Sequence, residues 1–282
     1  MKYTISIFSL ILASFILAFK SANDIKPARI LHQMYDSIKT IKTLKEKVKA
    51  MERVESKFVT ASSEIKVQTH PRKVYFNNRD KKVEVLFDGE ISAHKALVKV
   101  HTFPYLTLTL DPSGNIMRKN QHYSLNELGF EFIGKSIALT ISKDKEGGLA
   151  NFSYLGKVMK NGYNCYLLEY ENKNYAYTNY TVGEKETASI ISLKLCVNDY
   201  LLRYKNDLLN DFGFLKKGTV LKVPTLYCKK AILYIDDRLM LPVALSLYDD
   251  IGLFENYEYT NIEINKGFKP DEFSKDFKDY GF

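Results

Sequence analysis

The 282-residue chain contains no tryptophan and only three cysteines, Cys165, Cys196 and Cys228. An odd count of three allows at most one internal disulfide, which excludes a small fold held together by several disulfides. No Cys-x-x-Cys pair occurs, so the sequence lacks the spacing of a thiol-redox site or a zinc site. We expect the three thiols to be buried in apolar surroundings.

The common catalytic patterns are also missing. The five histidines are scattered without a His-Glu-x-x-His pair, and no nucleophile elbow, phosphate-binding loop or dinucleotide fingerprint occurs. A cryptic hydrolase would need Cys165 beside a distant histidine, but Cys165 lies in a strand-like run, which favours an ordinary core position. The sequence therefore predicts a protein with no catalytic activity, no cofactor and no metal.

One uncharged run stands at the N-terminus, from Ile5 to Phe19, after the basic start Met1-Lys2. It is shorter than the ~20 apolar residues that a spanning helix needs, and its layout is that of a secretory signal. We expect residues 1–22 to be a cleaved signal peptide and the protein to be periplasmic. The alternative is an uncleaved signal that anchors the chain in the inner membrane.

The formal net charge is +8. An exported protein with this balance would meet anionic lipid headgroups or cell wall, and we expect no nucleic acid partner. The alternative explanation is a solvated, lysine-rich surface without a specific partner.

Hydrophobic spacing predicts few helices and many strands. Apolar residues recur at intervals of three and four from Asn23 to Thr40, which predicts a helix. The stretch from Leu44 to Phe58 fits either period, but Glu46, Val48 and Ala50 alternate with lysines, which favours a strand. A second helix is predicted to begin at the capping-box pattern Ser124–Glu127 and to run toward Ser142.

The remaining segments read as antiparallel hairpins, which gives an α+β fold class. We expect a curved antiparallel sheet, an unclosed half-barrel, wrapped over the helices. Residues 23–179 and 225–282 would form this half-barrel. Residues 180–224 would be a separate insert with the order β-α-α-β, whose two strands pair and bring its ends together.

The insert resembles the LysM family in "YTVGEKETASIISLKLCVNDYLLRYKN" and "LKKGTVLKVP". The sequence departs from the family pattern at Lys185, where a glycine is usual, and at Glu186, where an aspartate is usual. The resemblance implies a groove that binds N-acetylglucosamine polymers such as peptidoglycan. The corresponding candidate residues are Glu186, Thr187, Asp207, Leu208 and Leu209. The alternative is a unit kept for packing or protein contact.

The C-terminal run "LYIDDRLMLPVALSLYDDIGLFENYEYTNIEINKGF" resembles LolA-type periplasmic lipoprotein carriers, and two earlier stretches resemble a LolA-like group of unknown function. The resemblance implies an apolar cavity that takes an acyl chain or a lipoprotein. The candidate lining residues are Leu106, Leu108, Leu110, Phe132, Val243, Leu245 and Leu247. The same residues would serve equally in a filled core, and the sequence leaves both possibilities open.

These observations predict an exported, non-catalytic envelope protein. It would bind a lipid or a lipidated partner in an apolar concavity, while the LysM-like unit contacts peptidoglycan. The alternative is a protein–protein interaction module or structural envelope module with a filled core and no small ligand.

Overall fold

The structure is a computed structural model that describes residues 26–90, 94–143 and 148–282. The predicted signal peptide, residues 1–22, lies outside the described residues.

Eleven strands form one antiparallel sheet in the order β6-β5-β4-β3-β2-β1-β13-β12-β11-β8-β7. The edge strands β6 and β7 do not pair with each other, so the sheet is unclosed. The strands of this sheet are β1 Thr43–Val54, β2 Lys57–Gln68, β3 Lys73–Asn78, β4 Val83–Asp88, β5 Ala96–Val100, β6 Thr107–Leu110, β7 Phe152–Lys160, β8 Tyr163–Glu171, β11 Lys230–Asp236, β12 Pro242–Tyr248 and β13 Leu253–Ile264. The predicted α+β class with an unclosed antiparallel sheet is confirmed.

Five α-helices accompany the strands in the described ranges. They are α1 Pro27–Lys39, α2 Asn115–Arg118, α3 Phe130–Lys143, α4 Ala188–Leu195 and α5 Asp199–Lys205. The first helix begins at Pro27, because proline has a fixed φ and no N–H and so suits a first helical position. Asn23, where the predicted helical spacing starts, lies outside the described residues.

The capping box forms, but it does not open the long helix as predicted. The Ser124 backbone N–H and side-chain hydroxyl both donate to Glu127 Oε2 at 2.7 Å. The turn it stabilises is a single 3₁₀ turn, Leu125–Glu127. The extended backbone of Leu128 and the left-handed backbone of Gly129, with φ +86°, interrupt the chain before α3 begins at Phe130.

The ambiguous stretch after Leu44 is a strand, as the alternation favoured. Leu44, Glu46 and Val48 are buried on the inner face of β1, while Lys47 and Lys49 are exposed on the outer face. The inner face therefore includes a glutamate between two apolar side chains.

The main core joins both ends of the sheet to the two longest helices. Val98 on β5 and Phe152 on β7 belong to the same buried cluster as Met34 on α1 and Phe130 on α3. Strands from opposite ends of an eleven-stranded sheet share this cluster because the sheet bends around the helices.

A two-stranded sheet lies apart from the large one and consists of β9 Tyr177–Thr181 and β10 Val220–Pro224. These strands pair antiparallel, with Tyr180 opposite Leu221, so the predicted pairing is confirmed. Helices α4 and α5 lie between them in the chain. We call Tyr177–Pro224 the inserted unit, after the predicted insert of residues 180–224, which stays a prediction. Its own buried cluster is Val182, Ala188, Ile191, Val197, Leu202, Leu221 and Val223.

The amide of Asn198 joins the inserted unit to the large sheet. Its Oδ1 accepts the Leu201 N–H at 3.0 Å and caps α5. Its Nδ2 donates to Glu255 Oε1 on β13 at 2.8 Å and to the Tyr227 hydroxyl at 3.1 Å. One buried side chain thus starts a helix of the inserted unit and bonds to the eleven-stranded sheet of the half-barrel.

A buried ion cluster forms a second link. Arg118 at the end of α2 donates to Asp199 Oδ2 at 2.6 Å, and Arg203 donates to the same oxygen at 3.1 Å. Each of these three side chains is 3% exposed. Because a buried charge is costly without its partner, this cluster favours one fixed position of the unit.

We expect Asn198→Ala to lower the free energy of unfolding by about 2–4 kcal/mol, since it removes a helix cap and a hydrogen bond to a buried carboxylate. The matched control is Thr187→Ala, which removes the cap of α4 and is expected to cost about 1 kcal/mol. Urea denaturation measures both variants. Equal losses in the two would mean that the bonds from Asn198 to the half-barrel contribute nothing.

Candidate functional site

The larger of two neighbouring cavities lies against the inner face of β1 to β6 and has a volume of about 370 Å³. Ala50 and Ala61 face each other across β1 and β2 and both line it. Leu108 and Leu110 of β6 and Met117 of α2 also line it. Small side chains at the paired alanine positions leave space that larger ones would fill.

The smaller cavity lies between α3 and the inner face of the sheet and has a volume of about 110 Å³. Phe132 and Ile137 of α3 and Leu233 of β11 are among its mostly apolar walls. The two cavities adjoin each other, because they share a set of wall residues. This set is Val48, Ile65, Tyr123, Leu128 and Tyr257.

The predicted lipid-binding residues do not all line one cavity. Phe132, Leu245 and Leu247 line the smaller cavity, and Leu108 and Leu110 line the larger one.

Two further candidates line neither cavity. Leu106 precedes β6 and is 46% exposed. Val243 is fully buried, but it lies at a bulge, since Tyr234 pairs with Ala244 and Ile235 pairs with Pro242. An extra residue on one strand redirects the local side chains, and the sequence alternation carries no sign of it.

Glu46 is the unusual group of this site. Its side chain lines the smaller cavity and the residue is 1% exposed. Within the described part of the chain, neither of its carboxylate oxygens has a hydrogen-bond partner. Burial raises the pKa of Glu46 to about 8, so the carboxyl is mostly protonated at neutral pH. One feature of the sequence could have identified Glu46: it is an acidic residue at a position where the alternation of the strand expects an inward, apolar side chain.

Glu255 shows the opposite arrangement on β13. It is fully buried, and His122 Nδ1, the Tyr123 hydroxyl and Asn198 Nδ2 lie 2.7, 2.7 and 2.8 Å from its oxygens. Its carboxylate is therefore satisfied within the fold, although burial raises its pKa above the ordinary value. Sequence reasoning missed this network because its members are far apart in the chain.

His122 is part of this network and lines neither of the two cavities. Burial opposes the charged form of His122, but the hydrogen bond that the ring donates to Glu255, the negative charges of Glu52 and Glu255 and the bond to the Arg53 carbonyl together outweigh it, so the pKa of His122 is raised. Its Nε2 lies 3.2 Å from the Arg53 carbonyl oxygen. With an acceptor at each ring nitrogen, the charged ring has two partners for its two N–H groups.

The three cysteines are free and buried, as predicted. Burial raises the pKa of Cys165 to about 11 and that of Cys228 to about 12. Neither is thereby activated, because the thiolate is the reactive form. In the described ranges no group of three His, Cys, Asp or Glu side chains is placed to hold a metal ion. No helix among the same residues is long and apolar enough to span a membrane.

The predicted glycan-binding residues are mostly engaged within the inserted unit. Glu186 accepts hydrogen bonds from the Gly183 N–H at 2.8 Å, the Tyr180 hydroxyl at 2.8 Å and Lys194 at 3.1 Å. These bonds, led by that from Gly183, lower its pKa. Thr187 caps α4 by accepting the Ile190 N–H at 3.1 Å.

Two further predicted glycan-binding residues, Leu208 and Leu209, also pack against buried clusters. Leu208 contacts the cluster of the inserted unit, and Leu209 contacts a cluster that contains Tyr200 and Phe254. Asp207 is exposed, with a left-handed backbone at φ 57°. It is the member of the predicted set whose side chain is free to meet a ligand from solvent.

A protein-family model, described as a protein of unknown function, DUF1571, matches residues 42–186 and 216–282. The chain belongs to this family. The DUF1571 match includes all thirteen strands and omits residues 187–215, which contain α4 and α5. Every strand that lines the two cavities therefore lies inside the DUF1571 match. No curated protein matches the chain.

Several solved structures are similar to this DUF1571 member. LprF from Mycobacterium bovis is 13% identical with a TM-score of 0.40, over 83% of this chain and 91% of LprF. The Mycobacterium tuberculosis lipoprotein LppX is 14% identical with a TM-score of 0.39, over 86% of this chain and 98% of LppX. A putative outer membrane lipoprotein-sorting protein domain from Vibrio parahaemolyticus is 10% identical with a TM-score of 0.34, over 88% and 95%.

The stability of this DUF1571 protein should depend on the ionisation of Glu46. The folded state holds the pKa at about 8, against an ordinary value of 4.5, so unfolding releases a proton between these two pH values. Relative to Glu46→Gln, the free energy of unfolding of the wild type should fall by about 1.4 kcal/mol for each pH unit between pH about 5 and 8.

Urea denaturation of both proteins across this pH range measures the difference, and groups common to the two cancel. Below the ordinary pKa of glutamate the difference should become constant, because the carboxyl is then protonated in both states. A difference that does not change with pH would show that the Glu46 carboxyl is not buried in the folded protein.

Proposed function

We propose that the protein is an exported, periplasmic and non-catalytic envelope protein with a LolA-like half-barrel, which holds an acyl chain or the acyl group of a lipidated partner. The observation that carries the proposal is the pair of adjoining, mostly apolar cavities under α3 and inside β1 to β6. The larger, at about 370 Å³, falls within the range of about 300–1,000 Å³ that is typical of small-ligand pockets.

The energetics favour a chain of methylene groups. Each buried methylene contributes roughly 0.8 kcal/mol, and the walls supply apolar contacts along both cavities. A neutral chain also avoids the cost of burying a charge without a partner. An acyl chain is therefore the ligand class that matches this lining.

An interaction module with a filled core is the alternative, and one feature favours it. Phe103 is 85% exposed and Tyr105 is 63% exposed in the loop between β5 and β6. Exposed aromatic side chains suit a protein contact. The open volume on the inner face of the sheet weighs against a filled core.

Contact of the inserted unit with peptidoglycan is a second part of the proposal. Its support is the LysM-like sequence pattern together with the order β9-α4-α5-β10. Because Glu186 and Thr187 are engaged internally, Asp207 and the exposed apolar side chains of Ile190 and Leu193 would form the contact surface.

The lipid proposal is tested by filling the larger cavity. Delipidated and refolded wild-type protein should take up a fluorescent fatty acid, and Ala61→Phe should weaken this binding by at least about tenfold because the ring occupies the void. Ser62→Phe, on the exposed outer face of the same strand, is the matched control and should bind like the wild type. Wild-type protein that takes up neither a fatty acid nor a lipopeptide would refute the proposal.

The peptidoglycan proposal is tested by cosedimentation with purified peptidoglycan. We expect the wild type to pellet and Asp207→Ala together with Leu193→Ser to reduce the pelleted fraction several-fold. Lys217→Ala, which removes a surface ion pair with Glu184, is a control for loss of charge at the same unit. Wild-type protein that stays in the supernatant would exclude this contact.

A further inference from the structure

Apolar side chains flank Glu46 along β1 and across the pair with β2. Its strand neighbours on the inner face of β1 are Leu44 and Val48, and Ile65 is opposite on β2. On β13, the pairing slips beside Glu46, since Lys45 pairs with Glu263 and Lys47 pairs with Thr260. The irregular pairing occurs where the carboxyl enters the cavity.

The other polar groups of this cavity include five tyrosines, Tyr123, Tyr170, Tyr227, Tyr257 and Tyr259, and the Cys228 thiol. Tyr257 and Tyr259 are its titratable neighbours on β13; burial raises the pKa of both, and the nearby Glu46 also raises that of Tyr259. Glu127 also lines the cavity, but its carboxylate is bonded to Ser124. Ser136 and Thr140 lie on the α3 side. None of these groups is a cation, and none bonds to Glu46.

Other acids on the inner face of the sheet have partners. Glu52 of β1 accepts a hydrogen bond from the Tyr257 hydroxyl, and Glu255 has three partners as described above. Buried polar groups in folded proteins are nearly always satisfied. An inward carboxyl with two unsatisfied oxygens beside an open cavity is therefore a group whose partner comes from outside the chain.

We propose that the ligand carries a neutral hydrogen-bonding group, a hydroxyl or an amide, which bonds to the Glu46 carboxyl inside the smaller cavity. This inference rests on the proposed function, because the apolar remainder of the ligand would occupy the adjoining space. A hydroxyl or amide fits because it offers both a donor and an acceptor to a protonated carboxyl.

Two other ligand types fit less well. A plain hydrocarbon would leave Glu46 unsatisfied and would gain nothing from it. An alkyl amine would bring a second charge into an apolar space and would require Glu46 to ionise there, and the desolvation of both ions opposes this. The mostly apolar lining of the smaller cavity, which includes no cation among the described residues, therefore favours a neutral partner.

The test compares ligands that share one chain and differ at one group. Dodecane, dodecanol, dodecanamide and dodecylamine are titrated at mildly acidic pH against a protein-bound fluorescent fatty acid. The measured quantity is the ratio of the protein's affinity for dodecanol, or for dodecanamide, to its affinity for dodecane. We expect Glu46→Leu to lower this ratio by about tenfold through loss of the hydrogen bond, while Glu46→Gln, which retains a donor and an acceptor, keeps most of it.

Each result has a distinct meaning. If the wild type and Glu46→Leu bind all chains with the same ratios, acyl binding stands and the role of Glu46 is refuted. If dodecylamine is the preferred ligand and loses its advantage in Glu46→Leu, Glu46 recognises a cation and the inference is overturned. If no chain displaces the probe and none binds directly, the proposed function fails and this inference fails with it.

Discussion

The carboxylate of Glu255 is the point on which three parts of the structure depend. It lies on β13 with no exposed surface, and it holds His122 and Tyr123 from the segment after α2 and Asn198 from the inserted unit. Charge-assisted hydrogen bonds of this kind are stronger than neutral ones, and a buried carboxylate without them would be costly. The half-barrel and the inserted unit are therefore expected to keep one relative position, and their separate folding would leave this group unsatisfied.

The same network fixes one wall of the cavities. Tyr123 lines both, and its hydroxyl bonds to Glu255 and to Tyr227, which lines the smaller one. Tyr257, held by Glu52, is also shared by both cavities. Because these tyrosines are tied through their hydroxyl groups, their rings cannot simply rotate inward to fill the space. A rigid polar frame around an apolar void preserves volume that a purely apolar core would tend to close.

The periodicity of the sequence predicted features that depend on neighbouring residues, such as the faces of a strand. It missed features that depend on residues far apart in the chain. The alternation in β1 placed Glu46 on the inner face, and the spacing around Tyr180 and Leu221 gave the antiparallel pair of the inserted unit. The irregular backbone at Gly129, which separates the capping box from α3, has no periodic signature. The bulge at Val243, which lines neither cavity, has no periodic signature in the sequence either. The choice between a void and a filled core was also beyond the sequence, since Leu108 and Leu245 would be apolar in both.

The contrast between Glu255 and Glu46 distinguishes a carboxyl that the fold satisfies from one that has no hydrogen-bond partner among the described residues. Both occupy inward positions of alternating strands, and both have a raised pKa because of burial. Within the described ranges the fold supplies donors for Glu255 and none for Glu46. An apolar residue at position 46 would avoid the desolvation cost and would give the more stable protein. A group that lowers stability without serving the fold is the kind of feature that function retains at a binding site, and its place on a cavity wall indicates a ligand as its partner.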